Sequence, residues 1–117
     1  MQGLIDKVIL LADDELQRAN ERFPMFNSNH EGIGIIDEEI DEMTVEIEDL
    51  MKYFKFLKRS VYRDDSMMIT ANLEAMEKKA VLGCAELIQV IAMILKFRTS
   101  REDRKNNGQG WEEEKRP

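Results

Sequence analysis

The sequence predicts an all-α fold: an antiparallel helical bundle completed by oligomerisation. Apolar residues recur at alternating spacings of three and four along two long stretches, the signature of helices with one buried seam. Gly and Pro are scarce, at 6 and 2 of 117 residues, while Ala, Leu, Ile, Met, Glu and Lys dominate, a helix-forming composition. A chain of 117 residues makes one small domain, and helices this rich in apolar positions are commonly completed by a partner subunit.

The first helix is expected over about Gln2 to Glu21. Leu4, Val8, Leu11 and Glu15 share one face, and Ile5, Ile9, Ala12, Leu16 and Ala19 form a broader stripe. Phe23-Pro24 ends it, because the residue before a proline is pushed out of the helical region. Ser28 and Glu31 have capping-box spacing, so the second helix should start near Asn29 or His30. Gly32 and Gly34 in its first turns mark either a close approach by another group or a frayed turn. Its seam is Ile33, Ile36, Ile40, Met43, Ile47, Leu50, Phe54 and Leu57, and it should end near Arg59.

Ser60 to Ser66 reads as the connection, and the third helix should begin between Met67 and Asn72 and run to about Phe97. From Ala80 onward that helix is apolar around most of its circumference, which places it centrally in a bundle, with Gly83 marking a kink or a close crossing. The domain is therefore read as residues 1–99. A charged tail over residues 100–117 is expected to be mobile, with Trp111 available to dock on a neighbour.

A net charge of −7 argues against general nucleic-acid binding, which needs a cationic surface. The single cysteine, Cys84, excludes an intrachain disulfide and a thiolate metal cluster, and reads as a small buried hydrophobe. The N-terminal stretch lacks a basic leader, and no apolar run reads as long and uninterrupted enough to span a bilayer. The expectation is a cytoplasmic protein with neither nucleic-acid nor membrane partners.

The chemistry resides in acids. Glu39, Glu42 and Glu46 line up along one strip of the second helix, where like charges repel by roughly 0.2–0.5 kcal/mol per pair unless water or a cation intervenes. Within the apolar third helix sit Glu86 and Gln89, and a buried ionised carboxylate needs a partner. Antiparallel packing would bring Glu86 and Gln89 across to Glu39 and Glu42. Such an oxygen set suits a hard divalent cation, Mg²⁺ above all with Mn²⁺ possible. Glu38 lies about 100° round the helix, as a second ligand, a base or a solvated acid. Lys52, Lys55 and Arg59 share roughly one face near the helix end, where they either complement the dipole or meet phosphate oxygens. His30 reads as a neighbour of the helix cap rather than a base. No G-x-x-x-x-G-K loop is present, so a nucleotide motor or kinase is not supported.

The stretch His30-Glu31-Gly32 through Glu38-Glu39-Ile40-Asp41-Glu42, followed by Glu86-Leu87-Ile88-Gln89, resembles the MazG-like all-α nucleoside triphosphate pyrophosphohydrolases, in particular a phage-associated branch. The resemblance covers about Met1 to Phe97 by helix order, and its distinctive part is the two short motifs. It implies hydrolysis of a nucleoside triphosphate to the monophosphate and pyrophosphate by a Mg²⁺-dependent homodimer or tetramer. Glu39, Glu42, Glu86 and Gln89 would be metal ligands, Glu38 or Glu39 would hold or deprotonate water, and Lys52, Lys55 or Arg59 would face the pyrophosphate. Gln89 departs from the family pattern, which has aspartate there; its neutral oxygen lowers the site's charge and should weaken metal binding. The alternative is a catalytically weak or inert helical oligomer that binds nucleotide or a protein partner.

Overall fold

The computed structural model describes residues 1–106, and among them the chain is all-helical: α1 (Gln2–Arg22), α2 (Asn29–Tyr62) and α3 (Ser66–Asn106). The helix ends fall at the local signals. Phe23 is extended, at φ −132° and ψ 144°, as its position before Pro24 requires. Ser28 Oγ accepts the Glu31 N–H at 3.1 Å, while Glu31 Oε2 accepts the Asn27 N–H at 3.2 Å, so the box closes one residue ahead of its usual position. Between α2 and α3, Asp64 takes the left-handed conformation at φ 52°, which short polar side chains tolerate. Asp65 Oδ1 then caps α3 by accepting the Met68 N–H at 3.1 Å.

The chain divides into two compact units. The second, Ile40–Leu87, is an antiparallel helical hairpin. Near its turn, the buried Asn72 amide donates to Ser60 Oγ at 2.9 Å. Further along, Lys79 meets Glu46 and Asp49, and a Cβ on Gly83 would stand 3.0 Å from Ile47 Cδ1. Gly83 thus marks a close helix approach. Two helices cannot enclose apolar residues on both sides, and Met51, Phe54, Leu73 and Val81 remain exposed.

The first unit combines Met1–Glu39 with the chain from Ile88 onward. Phe26, Ala92 and Met93 form its core, with Leu16, Ala19, Ile35, Ile36 and Phe97 packed around them. The loop carrying Phe26 is fastened to α3: the Phe26 N–H donates to Ser100 Oγ at 2.9 Å, and Arg104 Nη2 donates to Asn27 Oδ1 at 2.7 Å. These contacts use residues beyond Phe97, the expected end of the third helix, and α3 runs on to Asn106. The expected docking of Trp111 lies outside the described residues.

Gly32 resolves the question of the glycine pair. A Cβ there would lie 2.6 Å from the Phe97 ring, which itself meets Phe26 edge-on at 6.3 Å between centroids. Gly34 has nothing within 4 Å. Gly32→Ala is therefore expected to destabilise by about 1–3 kcal/mol through overpacking, whereas Gly34→Ala should stabilise by up to about 1 kcal/mol. Chemical denaturation of the two variants checks this; equal effects would remove the close approach at Phe97.

Two expectations are corrected. Cys84 is exposed rather than buried, because it falls on the side of α3 that the described residues do not cover. Moreover, α3 is long and apolar enough to cross a membrane by length and composition, a property shared by the core helices of soluble proteins.

Candidate acidic centre

The acidic strip on α2 meets two different fates. Glu46 Oε2 and Asp49 Oδ2 each lie 3.1 Å from Lys79 Nζ, and these bonds, led by that to Asp49, raise the lysine above its ordinary range. Here a cation answers the repulsion. One turn earlier, Glu42 instead faces another acid: an oxygen of Glu42 and one of Glu86 lie within 4.8 Å of each other. Neither has a cationic partner among the described residues. Glu86 is consequently pushed above its ordinary value, first by burial, then by the charge of Glu42 and a hydrogen bond with it, and last by the charge of Glu46.

The close approach at Gly83, one turn ahead of Glu86 on α3, lets the two backbones come near enough for that meeting. Glu39 stands one turn before Glu42 on the same unbroken helix. Within the hairpin the result is an acidic pair, Glu42 with Glu86. Glu39 and Glu86 are half-buried, and Glu42 and Glu38 are exposed.

Gln89 is committed elsewhere. Its Nε2 donates to Glu15 Oε2 on α1 at 2.7 Å, a contact within the first unit. The sequence reading grouped Gln89 with Glu86 from their shared spacing but missed Glu15 as its partner. The available signal was an acid in line with Leu4, Val8 and Leu11 on an otherwise apolar face.

The first unit also contains a cavity of about 370 Å³ that the sequence did not disclose. Phe23, Phe26 and Met93 supply apolar wall, while Glu31, Glu38, Glu39, Gln89 and Lys96 supply polar groups. Lys96 is only 2% exposed, and its Nζ stands 5.1 Å from the Phe26 ring centroid and 6.0 Å from that of Phe23. Burial lowers its pKa, and the charge of Glu31 works the other way. A lone cation in the apolar run Val90 to Phe97 was the sequence signal for this site.

The basic residues of α2 lie at its far end. By helix rise, Lys52, Lys55 and Arg59 are about 15, 20 and 25 Å along the axis from Glu42. Lys52 and Arg59 sit over the Phe56 ring at 6.0 and 5.9 Å. Lys52 is the nearest of the three to Glu42, still about 15 Å along the axis. His30 is exposed at the start of α2, as read. Comparison with protein-family models, curated proteins and solved structures gives no match, so any functional reading rests on this geometry and on the motif resemblance.

Proposed function

We propose that this protein is a Mg²⁺-dependent nucleoside triphosphate pyrophosphohydrolase of the MazG-like kind, working in the cytoplasm as a homodimer or tetramer. The observation that carries the reading is the meeting of Glu42 and Glu86 from opposite helices of one hairpin, without a cation between them among the described residues. Natural side chains leave such a pair unpaired at a cost, and a divalent cation is the ligand that would remove it.

The donor type suits that ion: carboxylate oxygens are hard ligands, and the Glu42–Glu86 pair leaves room for phosphate oxygens and water. Glu42 and Glu86 would hold it with Glu39, and Gln89 would join only by leaving Glu15. A bound Mg²⁺ supplies neutralisation of phosphate charge and a lower pKa for water. Glu38 or Glu39 would position the attacking water and accept its proton, and of Lys52, Lys55 and Arg59 the first is nearest for the leaving pyrophosphate. The exposed apolar side of the hairpin supports assembly with further copies.

The test is pyrophosphate release over canonical and modified triphosphates with Mg²⁺, paired with thermal melts in metal and nucleotide. Release of pyrophosphate together with a metal-dependent rise in melting temperature is expected. No shift with any divalent metal at millimolar concentration would count against the proposal. A second reading, an inert oligomer that binds nucleotide or a protein partner, is favoured by one contact: the neutral Gln89 is spent on Glu15. Ligand-induced stabilisation without turnover would select it.

A further inference from the structure

The buried ammonium of Lys96 has no role in the acidic centre. A lysine presents three N–H donors and no acceptor, and ring faces attract its charge without accepting hydrogen bonds as oxygens do. Holding it almost fully inside an apolar wall costs stability, visible as its lowered pKa. The cavity it lines also carries three carboxylates, Glu31, Glu38 and Glu39. Its phenylalanines offer flat apolar surface to a ring, which a bare phosphate cannot use.

A neutral planar ligand suits this lining when its edge carries a carbonyl oxygen beside an N–H. The carbonyl accepts from Lys96, the N–H donates to a carboxylate, and the ring packs against Phe23 and Phe26. We propose that this cavity is the nucleobase pocket and that Lys96 selects bases with a C=O/N–H edge, namely uracil, thymine, guanine and hypoxanthine, against adenine. The inference rests on the nucleotide reading above. It adds the class of base and the residue that chooses it.

Nucleosides test it without phosphate or metal, so hydrolysis plays no part in the result. Methyl NMR of methionine-labelled protein follows Met93, which lines the cavity. Inosine and nebularine differ only in the carbonyl and N–H that inosine carries. Titration of the Met93 methyl with inosine, uridine and guanosine is expected to show affinities at least tenfold above those for nebularine and adenosine. Lys96→Met, which keeps the side-chain bulk, is expected to stay folded and to lose that preference.

Equal affinity for inosine and nebularine in the native protein overturns the proposal, even if the variant does not fold. An unchanged preference in folded Lys96→Met also overturns it. A preference for phosphate or pyrophosphate over nucleosides at Met93 would assign the cavity to the anion instead, and likewise overturns it. Pyrophosphate release without nucleoside selectivity would defeat this inference alone; nucleoside selectivity without release would defeat only the hydrolase reading.

Discussion

Replacing Glu42 by glutamine is expected to remove both pyrophosphate release and the Mg²⁺-dependent rise in melting temperature. Glu42 meets Glu86 across the hairpin, and the two carboxylates would be the core of the metal site. A glutamine preserves shape and one carbonyl oxygen but removes the charge a hard cation requires. A loss of a hundredfold or more in kcat/KM is expected, about 2.7 kcal/mol of transition-state stabilisation. At a metal concentration one hundred times its Kd, the native protein gains about 2.7 kcal/mol, and the variant should gain almost none of it. The metal-free variant should be at least as stable as the native chain, because one of two facing acids has gone. Lost activity with lost fold would therefore not match the expectation; lost activity with a retained or raised metal-free melting temperature would.

The second large effect concerns Glu86 and acidity. Its folded pKa is raised, so between the unfolded value and the raised folded value the native state holds a proton that the unfolded chain releases. Metal-free stability is then lost as pH rises through that window; below it both states are protonated and the contribution is flat. Glu86→Gln removes this dependence. At neutral pH without metal, the variant should be about 0.5–2 kcal/mol more stable, an increment typical of relieving an unfavourable charge, or roughly 4–8 °C per kcal/mol in melting temperature. Mg²⁺ should then stabilise it little. Melts from pH 4 to 8, with and without Mg²⁺, read both arms. If the native and Glu86→Gln proteins showed the same metal-free pH dependence across that range, Glu86 would not face Glu42 in solution.

Much of this was legible from spacing alone. The turns at Phe23-Pro24 and Asp64-Asp65 and the cap at Ser28 follow from local rules, whereas the meeting of Glu42 with Glu86 needed the added assumption of antiparallel packing. Periodicity also placed Glu86 on a largely apolar helix, so its need for a partner could be anticipated. What escaped the sequence depended on contacts between distant segments. Gln89 turned to Glu15, 74 positions away, and Glu46 found Lys79, 33 positions away, and no period in one helix encodes a partner in another. The end of α3 was misjudged for a similar reason. Beyond Phe97 the side chains are polar, and polar residues were read as tail, although Ser100 and Arg104 carry the bonds that hold a distant loop.

That fastening sets a limit on where the chain can be shortened. A protein ending at residue 99 would keep every apolar position of α3 yet lose the hydroxyl that receives the Phe26 amide and the guanidinium that grips Asn27. The aromatic beside Lys96 would then be anchored by packing alone, and the shape of the cavity would drift. Deleting what looks dispensable would blunt ligand choice before it touched the acidic centre.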